Sequence, residues 1–274
     1  MDVENYLTYI KGYNIDVDNV VSRQDSVVDL NLKILYKRLH DAKNAFMLLC
    51  DNNMNTDATL IAGHILETCA TIHYIKAAKD KIFNTRRYVA KSTVSSAYDL
   101  LGIDNTNLQD EKYKLAIDDF LDYLDDVGHL ILKPSKKEDK KQLNKKLVSK
   151  LRSVDLTNKD KRKLIKEYYD MPIVNDYINC FISGMQNAVK GNPDENAEKL
   201  EEAIKLFYVS YCRIKHASAL LYPGEIYADK LIIRDNKEEL CIPAVFLSLD
   251  MISDTPVYLK QKSLDPCSIS IKNV

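Results

Sequence analysis

Glycine and proline are scarce in this sequence, seven of each in 274 residues. So few turn-formers disfavour sandwiches, barrels and Gly-rich nucleotide folds, and favour long helices. Net charge is nearly absent too: 39 basic and 40 acidic residues leave −1. That balance excludes a wholly basic nucleic-acid coat and a disordered polyelectrolyte. No run approaches the ~18 apolar residues of a membrane span. The opening MDVENYLTYIKGYN is acidic and mixed, unlike a signal peptide. The six cysteines (Cys50, Cys69, Cys180, Cys212, Cys241, Cys267) form no CxxC pair. Most fall in apolar helical pattern, where a thiol packs as a small hydrophobe. A reduced, cytoplasmic protein is expected. P-loop, GxGxxG, HExxH and GxSxG motifs are missing, which removes most of the weight from ATPase, dehydrogenase and α/β-hydrolase functions.

What is present is helical periodicity. Val28, Leu32, Leu35, Leu39, Ala42, Phe46 and Leu49 recur at three- and four-residue steps. DNNMNTD (51–57) predicts a turn, with Thr56 or Asp57 capping the next helix. That helix, about 58–79, is apolar on most of its circumference and belongs at the centre of a bundle. Further helices are predicted over 85–101, 108–132, 158–169, 173–190 and 195–221. The one over 108–132 carries Asp118, Asp119, Asp122, Asp125 and Asp126 on its outer face. After Pro223-Gly224 the pattern changes. Lys230–Arg234 and Leu240–Pro243 predict a small β-hairpin, and apolar residues 244–253 suit a short helix.

Residues 133–166 hold 14 Lys/Arg and four acids, a local balance of +10. Leu143, Leu147, Val148 and Leu151 give this run an apolar stripe, so part of it should be ordered. Three uses fit such a run: a solvated helix face, a partner for the neighbouring acidic face, or a phosphate-binding patch. For the last, Lys136, Lys137, Lys140, Lys141, Lys145 and Lys146 are the candidate nucleic-acid contacts, and Tyr168 and Tyr169 offer stacking faces.

Two clusters could carry chemistry. His64, Glu67, Thr71 and Tyr74 share one face of the central helix. Titratable groups on an otherwise apolar helix are either paired in a core network or poised for a reaction. The late segment YVSYCRIKHASALLYPG places Arg213 and His216 three residues apart. A fixed cation beside an imidazole suits phosphate chemistry: Arg213 would hold a phosphoryl oxygen and His216 would move the proton. The same pair also fits a surface network near a helix end. Asp126-x-x-His129, His64-x-x-Glu67 and Cys69/His73 do not complete a recognisable ligand set, so neither metal nor cofactor is expected.

LIAGHILETCATIHYIKAAKD and FYVSYCRIKHASALLYP resemble an uncharacterised family of bacterial all-helical proteins with HEPN-like character. Glu67 and Tyr74-Ile75 match its central-helix pattern, and His216-Ala217-Ser218 its late-helix pattern. Gly63 and His64 stand where the family has an Arg. Two residues, not four to six, separate Arg213 from His216. The resemblance implies a helical bundle, often dimeric, that binds or acts on RNA, frequently in defence or toxin systems.

The expected architecture is mainly α. An arm (1–24) precedes an antiparallel multi-helix bundle (25–222, with 133–166 as a basic insert), and a β-containing appendage (223–274) follows. The expected function is HEPN-like nucleic-acid binding, extending to metal-independent RNA cleavage by Arg213 and His216 with Glu67 and His64 completing the site. The rival is a non-catalytic interaction or scaffold module.

Overall fold

A computed structural model describes residues 3–15, 26–102, 111–133, 139–170, 174–189, 204, 207–208, 211–212, 226–227, 230–231 and 238–253. These residues are mainly helical, as the scarcity of turn-formers implies. The chain forms two compact units, 1–77 with 174–274, and 78–173.

The first unit contains α1 (Val3–Gly12), α2 (Val27–Asp51), α3 (Asn55–Lys76) and α8 (Val174–Val189). It also contains helical residues at 204, 207–208 and 211–212, and α9 (Glu238–Ile252). Ser26 caps α2: its hydroxyl accepts from the Asp29 N–H (3.2 Å) and donates to the Asp29 carboxylate (2.6 Å). Asn53 bridges α2 to α3 at φ 56°, a left-handed conformation that asparagine tolerates. The expected Thr56 or Asp57 cap does not form. α3 starts at Asn55, and Met54 in the cap position makes no side-chain bond.

α3 is central, packing on α2, α8 and α9. Ala62, Ile65, Leu66, Cys69, Ala70, Ile72 and Ile75 are fully buried along it. α9 is more deeply enclosed: every residue from 241 to 250 is buried. It packs on α1 as well, with Phe246 between the rings of Tyr6 and Tyr9 (centroids 4.8 and 4.7 Å). This corrects the expected hairpin. Leu240–Pro243 lie in α9 and not in a strand. Burial on all sides favours the conformation that satisfies its own backbone, and Pro243 costs one i→i−4 bond there. The strand pairing observed here is two residues long, Ile226–Tyr227 with Lys230–Leu231.

The second unit contains α4 (Lys81–Leu100), α5 (Glu111–Val127), a 3-10 turn (Gly128–Ile131), α6 (Lys140–Arg152) and α7 (Asn158–Tyr168). Its core joins Ala90, Val94 and Ala97 of α4 to Leu121 and Leu124 of α5, Leu147, Val148 and Leu151 of α6, and Ile165 of α7. The basic run is therefore built into this core. Asp139 and Thr157 cap α6 and α7 through backbone N–H bonds from Lys141 and Asp160. Leu132 and Tyr169 form an antiparallel bridge that draws the ends of the run together, with Lys133 N donating to Tyr168 O (2.9 Å) and Asp170 N to Ile131 O (2.7 Å).

A buried asparagine holds this unit's centre. Asn144, 1% exposed, donates through Nδ2 to the carbonyls of Leu124 (2.8 Å) and Asp125 (3.1 Å) at the end of α5. Its Oδ1 accepts from the hydroxyl of fully buried Tyr169 (2.9 Å). Gly128 makes the approach possible, because a Cβ there would overlap the Asn144 amide.

The units divide the chain differently from the expected arm, bundle and appendage. α1 and α9, from the arm and the appendage, both contribute to the core of the first unit. Residues 78–173 close a core of their own within what the sequence suggested was one bundle.

Candidate functional site

In the first unit, the polar stripe of α3 divides by exposure. His64 is exposed, Glu67 and Tyr74 are half-buried, and Thr71 is buried. Part of the stripe serves the fold. Thr71 donates to the Glu67 carbonyl (2.9 Å) and Thr68 to the His64 carbonyl (2.8 Å). Tyr74 lies against Tyr177 of α8, ring centroids 5.0 Å apart.

The stripe's first turns meet the late helical residues. Tyr211 packs directly on Gly63, where a Cβ would overlap its ring. Glycine stands here because an aromatic ring occupies the space that a side chain would need. The Tyr208 ring lies tilted against that of Tyr211, centroids 6.0 Å apart, and is within electrostatic reach of Glu67. Burial pushes the Tyr208 hydroxyl well above the ordinary tyrosine range. Its hydrogen bond with Cys212 and the Glu67 charge act in the same direction. Tyr208 therefore keeps its proton at neutral pH, within the field of Glu67. Arg213 and His216, the expected catalytic pair, lie outside the described residues.

One turn on, His73 meets the edge of Phe181 (5.7 Å) and the backbone at Gly184. Burial, then the Lys76 charge, holds its imidazole below the ordinary value, so it is neutral at pH 7. Cys69 is fully buried, and burial raises its thiol far above the usual range. Among the described residues, no three His, Cys, Asp or Glu side chains gather as a metal-binding group.

Sequence reasoning passed over two buried ionisable side chains in this unit: Lys43 of α2, whose ammonium donates to the Tyr13 carbonyl (2.7 Å), and Asp250. Asp250 of α9 is 0% exposed and accepts from the Tyr9 hydroxyl (3.0 Å). Burial raises the Tyr9 hydroxyl, and the Asp250 charge and hydrogen bond raise it further. An apolar run of ten residues gave little signal for a single embedded carboxylate.

In the second unit, α6 has two unlike faces. Asn144, Leu147, Val148 and Leu151 are buried, while Lys140, Lys141, Lys145, Lys146 and Lys150 are exposed. Lys136 and Lys137 lie outside the described residues. On α7, Lys159, Lys163 and Lys166 are exposed at i, i+4 and i+7, which is one helix face. Other cations of the run turn inward. Arg162 lies over the Tyr98 ring (4.2 Å), while Arg152 pairs with Asp122 at the surface (2.5 Å). Burial lowers Lys161, with Asp118 opposing it. The acidic face of α5 thus engages the edge of the run. Tyr169, one of the two expected stacking faces, is unavailable because its ring is buried and its hydroxyl is committed to Asn144. Tyr168 remains half-buried.

Asp170 closes this unit's last contact. It accepts from Arg87 (3.1 Å) and from buried Lys91 (2.8 Å). Burial pushes its carboxyl up, but the hydrogen bonds and charges of Lys91 and Arg87 together outweigh that and hold it below the ordinary value.

Among the described residues, no helix is long and apolar enough to cross a membrane. No protein-family model matches the chain, and no curated protein or solved structure matches it either.

Proposed function

We propose that this protein binds nucleic acid, with RNA as the ligand, through the lysine face of α6. One observation carries the reading: the lysines project from a helix whose reverse side is locked into a core by Asn144, Leu147, Val148 and Leu151. A solvated, mobile charge run has no such anchor. An anchored one presents cations at fixed positions to a phosphate backbone. The finer reading is a cytoplasmic HEPN-like endoribonuclease of a defence or toxin system, working without metal and as a homodimer. In it, Arg213 stabilises the phosphate, His216 transfers the proton, and Glu67 and His64 complete the site. The proton-carrying Tyr208, within the field of Glu67, adds a hydrogen-bond donor to that neighbourhood.

The test is RNA binding across a salt series. Single-stranded binding weakens with a slope of roughly −0.7 per phosphate contacted. Replacing Lys140, Lys141, Lys145 and Lys146 together with Gln should therefore flatten the slope by about 3. Unchanged binding by that variant overturns the reading. For the finer step, His216→Ala should abolish cleavage without lowering the melting temperature, and chelator should not matter. Analytical ultracentrifugation reads the dimer.

A second reading, a non-catalytic interaction module, is favoured by the structural employment of the stripe, where Thr71 bonds its own helix and Tyr74 packs on Tyr177. Under it His216→Ala destabilises the protein, and no RNA is cut.

A further inference from the structure

Resting on the nucleic-acid reading above, we infer that the cleft between α6 and α7 is a base-reading subsite for single-stranded RNA that prefers cytosine to uracil. The cleft is open to solvent along one side and has a volume of about 450 Å³, within the ~300–1,000 Å³ of small-ligand sites. That suits one nucleotide and not the end of a duplex. Lys150, in the last turn of α6, and Lys163, on α7, both line it. Both are exposed, and they continue the two lysine rows described above. A phosphate backbone following those rows passes the mouth of the cleft. The half-buried side chains of Leu156 and Leu164 supply its apolar part, against which a base ring can lie.

The cleft also holds carboxylates, which a phosphate-only site would avoid. Two are engaged by neighbours. Asp155 accepts from the Ser153 hydroxyl (3.3 Å) and Asp160 from the Thr157 hydroxyl (2.6 Å) at the start of α7. Glu167 is exposed, and no hydrogen bond or ion pair holds its carboxylate among the described residues. It lies one turn beyond Lys163 on the same helix face. A carboxylate accepts from the exocyclic amine of cytosine and repels the carbonyl that uracil presents at the same place. In an RNA duplex that amine lies in the deep, narrow major groove, which side chains do not read, so the ligand is single-stranded. Lys150 and Lys163 would hold the phosphates while Glu167 reads the base.

The experiment uses the full chain and fluorescently labelled oligocytidine and oligouridine of equal length, titrated by anisotropy at fixed salt. Oligocytidine should bind about fivefold tighter or more. Glu167→Gln should bring the two affinities together, since an amide can donate to uracil as well as accept from cytosine. Lys150→Gln and Lys163→Gln should weaken both RNAs and reduce the salt slope by about 0.7 each. Equal affinities in the unmodified protein, or a preference that survives Glu167→Gln, would overturn the subsite while leaving RNA binding in place. No binding of either RNA at low salt would overturn both.

Discussion

Asn144→Ala should cost the second unit about 3–5 kcal/mol. The side chain is 1% exposed and makes three hydrogen bonds, to the Leu124 and Asp125 carbonyls and from the Tyr169 hydroxyl. Truncation removes all three bonds at once. The Tyr169 hydroxyl and the carbonyls at the end of α5 then stay buried with bonds missing, at ~1–3 kcal/mol for each group left unsatisfied. The void left by the amide adds to this. Against a typical domain stability of ~5–15 kcal/mol, such a loss is a large fraction. Because the chain has two units, a single unfolding curve can mix them. The assay is therefore hydrogen exchange read by mass spectrometry on peptides covering 118–132 and 140–152, alongside urea unfolding. A double-mutant cycle with Tyr169→Phe isolates the bond. In the Asn144→Ala background, removing the hydroxyl should cost little or even stabilise, because its partner is already gone. Gly128→Ala should lose the same protection by displacing the amide. A loss under about 1 kcal/mol, with exchange of α5 and α6 unchanged, would refute the claim that this network holds the unit together.

Three further perturbations test other parts of the molecule. Gly63→Val should destabilise the first unit by about 1–3 kcal/mol through overlap with the Tyr211 ring, read by thermal melting, and Tyr211→Ala should relieve part of it. Tyr9→Phe removes the hydroxyl that donates to the buried Asp250 carboxylate and should cost about 1.5–3 kcal/mol, seen as a lower urea midpoint with unchanged slope. Asp170 has a depressed folded-state pKa, so its contribution is complete above the unfolded value, near 3.9, and is lost as pH falls through the lower folded value. In Asp170→Asn that part of the acid destabilisation should vanish, while stability at pH 7 drops by about 1–2 kcal/mol after allowance for the partial exposure of the pair.

The predominance of helix was legible because low glycine and proline content and three-to-four-residue periodicity act over many residues. α2 and the central place of α3 followed directly. Residues 244–253 were legible as a helix, but the first turns of α9, Leu240–Pro243, misled for a physical reason. A helix buried on every side has no polar face, so its sequence loses the 3.6-residue period and looks the same as a buried strand. Alternation at Leu240 and Ile242, paired with that at Leu231 and Ile233, then favoured a hairpin. The boundaries of the second unit at 77/78 and 173/174 fall at breaks between helices, which in the sequence look like the other helix breaks along the chain. Asn144 was hidden within a lysine run whose charge dominates any local average, and Tyr169 just beyond its end, although Leu147, Val148 and Leu151 did signal order there. At the candidate site, Glu67 and Tyr208 are far apart in sequence, and their electrostatic coupling depends on tertiary packing. Gly63 gave no sign of the ring that requires it.

The first unit is interrupted in sequence, since 78–173 lies between α3 and α8. On the ribosome this ordering has a cost. α2 and α3 emerge early, with Ile65, Leu66, Ile72 and Ile75 awaiting partners that include α9. The intervening segment, whose contacts are local, can close its core while they wait. α9 is translated only after all the helices it covers, so the apolar flank of α3 stays uncovered for most of synthesis. Exposed surface of that kind recruits holding chaperones and aggregates when they are limiting. Overexpression at reduced temperature, or with extra chaperone, should therefore raise the soluble yield of the whole chain far more than that of 78–173 expressed alone.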